Sequence, residues 1–323
     1  MDQKLLDLMR EAYCGTSYPA LKPFVDRFRE KYGAGLAAIV FYGSKLDPNL
    51  ASETSFYDFY LICDDYNRIF SRRRDRWLAQ VLPPNIYYLE LKDAEGYIRS
   101  CKYCVISLNH LQDAVSEQAR DLYHLGRFSK RLALVWWRTD RDRDQLLELC
   151  AQAMQTLLPH ALNKMGDSFT LPTLIHQALA LSYEGEVRLE KTDEKVRSLY
   201  RSAESFYLQV WARLLAEHRS PGGELAVQPQ SEPAPDPLFF RTVARPAGRP
   251  PATTRRLIER SRRRARARWP KNIVLVDNWV DILLAKVERT YGVKLELTPR
   301  ERRWVLILGW KHFFRLRREG KIH

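Results

Sequence analysis

Apolar and polar positions along this chain fall into blocks, and the period of each block changes at definable points. Leu21, Phe24, Val25 and Phe28 recur at helical spacing. The first 32 residues therefore read as two short helices, the second from Ala20 to Tyr32, with Gly33 and Gly35 stopping it. The run LAAIVFYGS at 36–44 is apolar and rich in β formers, which predicts a strand feeding a Gly-Ser turn. Further strands are expected at 56–64, 85–91 and 99–108, with a polar, helix-like segment carrying Arg72, Arg73, Arg74 and Arg76 between the second and third. From Asp140 to about Ala216 the period is helical throughout. Leu146, Leu147, Leu149, Met154, Leu157 and Leu158 fit one helix, Leu171 to Leu181 a second and Glu194 to Leu215 a third.

Beyond this point the pattern breaks. The stretch SPGGELAVQPQSEPAPDP at 220–237 is rich in Pro, Gly and polar residues and reads as a linker. Trp279, Val280, Ile282, Leu283, Leu284 and Val287 predict a helix beginning near Asp277 and ending at Gly292. Thr298-Pro299-Arg300-Glu301 has the composition of a helix start. In the last helix Leu306, Trp310, Phe313 and Phe314 form one stripe and Lys311, Arg315 and Arg318 another. Such a helix suits a membrane interface, with apolar side chains at the acyl boundary and cations over anionic headgroups. Trp304 and Leu308 fall outside the stripe, as packing on the body would require instead.

Charge sharpens this division. Of the formal +14 on 323 residues, the segment from Arg241 to His323 holds 23 Lys and Arg against 7 Asp and Glu, a net of +16. The rest is near neutral. Eight arginines lie between Arg255 and Arg268. So basic a tail implies an anionic partner, a lipid surface or a nucleic acid. The apolar fraction of 45% is enough for a sizeable core. Five irregularly spaced cysteines argue for a reducing compartment over a disulfide framework. The acidic residues Asp2, Asp7 and Glu11 are unlike a signal or transit peptide, and no run reaches the roughly 18 apolar residues of a membrane span. Attachment to a membrane would be peripheral, and the expected place is the cytoplasmic face of a bacterial inner membrane.

The candidate chemistry lies in the first two strands. A strand ends in Gly43-Ser44, about a dozen residues follow, and the next strand opens with Asp58. In nucleotidyltransferases of the polymerase-β type such a turn offers backbone N–H groups and a hydroxyl to a triphosphate, and a strand carboxylate holds Mg²⁺ against the same phosphates. A glycine lets the backbone come close to phosphate. That superfamily carries a second acid two residues on, where this chain has Tyr60. Gly-Ser after a strand is also an ordinary turn, so the pattern alone is weak.

Several motifs in order resemble the mitochondrial-type phosphatidate cytidylyltransferases. They are FYGS (41–44), YDFYLICDD (57–65), CKYCVISLNHL (101–111), LYHLGRFSKR (122–131) and LSYEGEVRLE followed by EKV (181–196). In that family the position two after the first Asp is also apolar or neutral, so the missing acid is typical. The departures are Lys45 for a third loop glycine, Cys104 for the glycine of the Lys-Tyr-Gly strand, Arg131 for a proline and Glu186 for an aspartate. Glutamate keeps the charge but adds a methylene.

The resemblance, which runs from about Val40 to Trp211, implies an α+β fold with a polymerase-β-like nucleotidyltransferase domain (1–138) and a helical domain (139–218) for which a winged-helix-like form is one option. Composition and charge add a linker (219–240) and a basic membrane-associating helical tail (241–323), which has no match in the family. It implies CMP transfer from CTP to phosphatidic acid at an anionic membrane surface, with Mg²⁺ as cofactor and pyrophosphate leaving. Asp58 and Glu186 would be catalytic and hold the metal. Tyr42, Gly43, Ser44, Lys102, Arg127 and Lys130 would bind the nucleotide, and Arg188 and Lys195 the substrate. The bland readings are that Lys102 is solvated, that Arg127 and Lys130 complement a helix dipole, and that Asp64 and Asp65 cap a helix. Cys101 and Cys104, on opposite faces of a strand, are an unpromising zinc pair. Two other functions compete: transfer to RNA or another polar acceptor with the arginine run as phosphate clamp, and a non-catalytic nucleotide-binding membrane adaptor.

Overall fold

A computed structural model describes residues 3–47, 56–92, 98–185, 192–218, 227–229, 239–242, 251–275, 280–281, 284, 287–288, 292–303 and 305–318. Two compact units divide at Trp269/Pro270.

The first unit is built on a five-stranded mixed sheet. Its strands are β1 (Leu36–Tyr42), β2 (Tyr57–Cys63), β3 (Asn85–Lys92), β4 (Ile98–Ser107) and β5 (Ala133–Trp137), in spatial order β3-β4-β2-β1-β5. β2 and β4 run parallel and the other neighbours are antiparallel. Every residue of β1 is buried, as expected of a strand with both faces covered. One face carries Val40, Tyr60, Ile62, Cys104 and Ile106 into the main core, and the other carries Ile39, Phe41, Phe59, Leu61 and Tyr103 into a second core.

Helices α1 (Gln3–Cys14) and α2 (Lys22–Tyr32) precede the sheet. α2 gives Phe24, Val25 and Phe28 to the second core, and the turn Pro19–Leu21 before it is a separate 3₁₀ element. Short helices α3 (Tyr66–Ile69) and α4 (Arg73–Val81) fill the gap between β2 and β3. Asp65 caps α3 by accepting from the Asn67 N–H at 2.9 Å, and Asp64 pairs with Arg138 at 2.6 Å, so both sit at the end of β2 remote from Asp58. Cys101 and Cys104 fall in different cores, on opposite faces of β4.

The main core is covered by α5 (Leu108–Val115), α6 (Leu122–Phe128), α7 (Asp140–Leu162), α8 (Leu171–Glu184), α9 (Thr192–Arg201) and α10 (Glu204–Glu217). Here the structure departs from the periodicity. The single helix expected at Glu194–Leu215 is two, because the chain turns at Ser202-Ala203 and Ala203 is non-helical. The region is also not wholly helical: β6 (Ser168–Thr170) pairs with β8 (Phe239–Thr242), which pairs with β7 (Val227–Pro229). Residues 227–229, within the stretch read as a linker, therefore belong to a small sheet. The run ALVWW, which lacks clean alternation, is the strand β5.

The arginine run lies on one long helix, α11 (Pro251–Leu275). Among the described side chains its buried residues are Thr254, Leu257, Ser261, Arg268 and Lys271, at spacings of three, four, seven and three. Thr254 Oγ1 is 2.9 Å from His160 Nδ1, and Ser261 Oγ accepts from the Leu122 N–H at 2.8 Å. α11 is thus fastened to α7 and α6.

In the second unit α12 (Pro299–Arg303) precedes α13 (Val305–Arg318). Thr298 and Glu301 form a capping box: Thr298 Oγ1 accepts from the Glu301 N–H at 3.3 Å and the Thr298 N–H donates to Glu301 at 2.9 Å. The Lys311 ammonium, then these bonds, hold the Glu301 carboxyl far below its usual range. Phe314 is exposed and Leu316 buried, while Lys311, Arg315 and Arg318 are exposed. Most of the helix expected from Asp277, and the side chains of Trp304, Leu306, Trp310 and Phe313, lie outside the described residues.

Candidate active site

β1 and β2 are antiparallel neighbours, and their register sets Tyr42 opposite Asp58. The parallel pairing of β2 with β4 sets Asp58 opposite Lys102. Three strands therefore deliver Tyr42, Asp58 and Lys102 to one edge of the sheet, side by side. Alternation puts Asp58 on the face of Tyr60, and Lys102 on that of Cys104. This is the face covered by α6.

Gly43 follows Tyr42 with φ of 93°, and a Cβ there would lie 2.6 Å from Asp58 Oδ2. Both facts demand glycine: the backbone is left-handed, and the carboxylate occupies the space of a side chain. Ser44, next in the chain, is half-buried and opens a 3₁₀ turn, Ser44–Leu46. Lys102 Nζ lies 2.9 Å from Asp58 Oδ1. The Asp58 charge raises the Lys102 pKa above its ordinary value, against the opposing effect of burial. Lys102 is thus an ion-paired cation, and the solvated reading does not hold.

Arg127 closes the group from α6. Its guanidinium lies 4.3 Å from the ring centre of Tyr123 and 5.6 Å from that of Tyr42. Being in the last turn of α6 it also complements that helix, but its position over two rings is what places it at the sheet edge. Cys104, where the resembling family has glycine, lies under Tyr42 and Tyr123, with its Sγ 3.8 Å and 4.0 Å from their hydroxyls. Burial pushes the Tyr42 hydroxyl and the Cys104 thiol up, so both stay neutral near pH 7.

Of the residues expected at the site, Tyr42, Gly43, Ser44, Asp58, Lys102 and Arg127 come together. Lys130 Nζ lies instead 3.8 Å from the ring centre of Tyr183, where the end of α6 meets α8. Lys195 is half-buried on α9, and among the described residues no contact joins it to this group. Glu186 and Arg188 lie outside the described residues. Two further motifs meet at α6: Gly126 rests on Ser182, so closely that a Cβ would be 2.6 Å from the serine Cβ.

Sequence reasoning missed Tyr123, whose ring carries the Arg127 guanidinium, and gave no place to Lys45 or Arg268. Lys45, noted only as a missing glycine, holds its ammonium 4.3 Å from the Tyr57 ring centre, and burial and then Arg99 lower its pKa. Tyr123 lay within a recognised motif without a role. Arg268 was hidden in a run that looked like a solvated or lipid-facing charge cluster, and the signal available was the apolar and small stripe around it.

Among the described residues no three His, Cys, Asp or Glu side chains converge as a metal cage. One carboxylate beside an exposed glycine turn is nevertheless a fitting donor set for a hard cation that takes most of its other oxygens from substrate phosphates and water.

No curated protein matches the chain. A solved nucleotidyltransferase-like protein from Exiguobacterium sibiricum is similar over 93% of this chain and 91% of its own, at 11% identity and a TM-score of 0.25, a superposition too loose to decide fold or function. The family described as mitochondrial phosphatidate cytidylyltransferase matches residues 48–231, more than half of the sequence and including Asp58, Lys102 and Arg127. With the motifs of α6 and α8 packed together beside the Asp58–Lys102 edge, the chain belongs to the mitochondrial phosphatidate cytidylyltransferase family.

Proposed function

We propose that this enzyme moves CMP from CTP to the phosphate of phosphatidic acid, giving CDP-diacylglycerol and pyrophosphate, at the edge formed by Gly43, Ser44, Asp58, Lys102 and Arg127. The observation that carries the reading is the contact of Gly43 with the Asp58 carboxylate. It puts an exposed backbone turn, which suits phosphate, beside the acid best placed for a divalent cation.

The attacking phosphate oxygen is already anionic, so no strong general base is needed. Positioning and neutralisation of charge do the work. Gly43 and Ser44 bind the triphosphate through backbone and hydroxyl. Lys102 and Arg127 offset the charge that builds on the phosphates as pyrophosphate departs. Asp58, with Glu186 as the second candidate, would hold Mg²⁺, which would supply Lewis-acid stabilisation of the phosphoryl oxygens. Arg188 and Lys195 remain candidates for the phosphatidate headgroup, and Lys130 for nucleotide charge.

No helix among the described residues is long and apolar enough to cross a membrane. We assign the approach to a diacyl substrate to the second unit. On α13 the exposed Phe314 accompanies the exposed cations Lys311, Arg315 and Arg318, a composition that suits an anionic interface. The mitochondrial description of the family lends no support to a bacterial inner membrane as the site. The RNA reading loses ground because Arg264 and Arg268 of the arginine run are turned onto Asp121.

The test is incubation of the purified chain with CTP, Mg²⁺ and phosphatidic acid in mixed micelles, following pyrophosphate and CDP-diacylglycerol. Equal amounts of both are expected. Pyrophosphate release that is the same without phosphatidic acid, or no turnover by folded protein, defeats the proposal.

A further inference from the structure

α11 lies wholly outside the 48–231 stretch shared with the family, yet its buried end reaches the candidate site. Arg268 is 5% exposed. Its guanidinium donates to Asp121 Oδ2 at 2.6 Å and to the Pro83 carbonyl at 2.9 Å, and its centre lies 4.5 Å from that of the Tyr123 ring. The same ring carries Arg127 at 4.3 Å. Asp121 is the N-cap of α6, accepting from the Tyr123 N–H at 3.0 Å. Arg264 also pairs with Asp121, at 2.5 Å, and no contact with Tyr123 is among its described interactions.

We propose that Arg268 is a positioning residue of the nucleotide site, acting through Tyr123 to hold the Arg127 guanidinium toward the triphosphate. This rests on the assignment of the Gly43–Asp58 edge to CTP. Three features support it. Arg268 is held in place by Asp121 and by the Pro83 carbonyl, so its guanidinium is fixed against the Tyr123 ring. A planar guanidinium lies against a tyrosine ring while giving one N–H to a carboxylate and another to a carbonyl, a geometry that a lysine ammonium cannot reproduce. An arginine side chain left to itself loses considerable rotamer freedom when it engages phosphate, and a ring already held by a second guanidinium reduces that cost. The arginine-rich helix thereby has two sides of different use. Arg268 faces inward and completes the site, while Arg256, Arg263 and Arg266 face solvent.

The experiment uses the full chain and compares Arg268→Lys with Arg264→Lys. Both keep a cation near Asp121, and only the first removes the stack on Tyr123. CTP binding is measured by equilibrium dialysis with radiolabelled CTP and Mg²⁺, and KM and kcat by CDP-diacylglycerol formation. Arg268→Lys is expected to raise Kd and KM for CTP about tenfold while kcat changes less than about threefold. Arg264→Lys should leave both within about twofold. Combined with Arg127→Lys, the Arg268 variant should add little, because both act through one guanidinium. Equal shifts from the two lysine variants, or none from Arg268→Lys, would overturn the proposal in favour of a purely structural staple. If Arg268→Lys does not fold, Tyr123→Leu decides in the same assay: it leaves the Asp121 pair in place, and an unchanged Kd overturns the proposal. Wild-type protein that binds no CTP removes the site assignment itself, a failure distinct from any difference between variants.

Discussion

Lys102 and Asp58 are register partners on parallel strands, and their side chains close an ion pair of 2.9 Å at the edge of the sheet. A pair so placed ties a cation for phosphate to a carboxylate for metal, and each holds the other in readiness. Asp58→Ala should lower CDP-diacylglycerol formation by at least about 100-fold, the scale seen when a positioned charge is lost. The melting temperature should barely move, since a partly exposed pair is worth only about 1 kcal/mol. Retained activity in a folded variant would remove Asp58 from the metal role.

Gly43→Ala tests the turn. The alanine would adopt a backbone conformation almost confined to glycine, at about 1–3 kcal/mol, and its Cβ would meet the Asp58 carboxylate at 2.6 Å. Turnover is expected to fall far more than stability, because displacing the carboxylate by an ångström spoils the site while the strands remain paired. Thermal unfolding and initial rates measured together check this. A variant with wild-type rates would show that the contact is only packing.

Gly126→Ala tests the junction of α6 and α8. The added methyl would lie 2.6 Å from Ser182 Cβ and 2.7 Å from its Cα, and backbone cannot step aside as a long side chain can. A loss of about 2–3 kcal/mol in urea unfolding is expected, at the upper end for overpacking. Ser182→Gly should recover part of it. If Gly126→Ala is as stable as wild type, the two helices are not in the close contact described.

Acid should loosen the attachment of α11. Burial alone would raise the Asp121 pKa, but Arg268, then His124 and the bonds from Tyr123 and Arg264, outweigh it and hold the carboxyl below its ordinary value. A carboxyl lowered on folding contributes stability above its unfolded pKa, about 3.9, and that contribution is lost as pH falls through the folded value. Asp121→Asn leaves two arginines facing a neutral amide and should cost about 3 kcal/mol at pH 7. The gap from wild type should narrow below about pH 4. Urea titrations at pH 7 and pH 3 give the comparison, and a gap that stays constant would contradict the charge assignment.

Much of this architecture is legible locally. β1, the capping at Thr298 and the start of β2 at Asp58 follow from runs of a few residues, and the helical region from 140 onward follows from its period. The failures are equally local in cause. Glu194–Leu215 keeps an apolar period across Ser202-Ala203 although the helix breaks there, since period reports which side faces the core and not whether the backbone continues. β5 does not stand out in the sequence because its run ALVWW does not alternate, and in the structure only Ala133 and Leu134 are fully buried. The arginines of α11 look alike in sequence, and burial separates Arg268 from its neighbours.

The sequence by itself determined which residue types stand at the turn, the strand start and the recognised motifs, because those depend on neighbours two to four positions away. Only the tertiary structure decided that Gly43, Asp58, Lys102 and Arg127 share one edge, and that Ser261 and Arg268 reach α6 from a distant helix. Strand order, register and helix docking arise from contacts between segments far apart in the chain, and their energy resides in surfaces that exist only once both partners have folded.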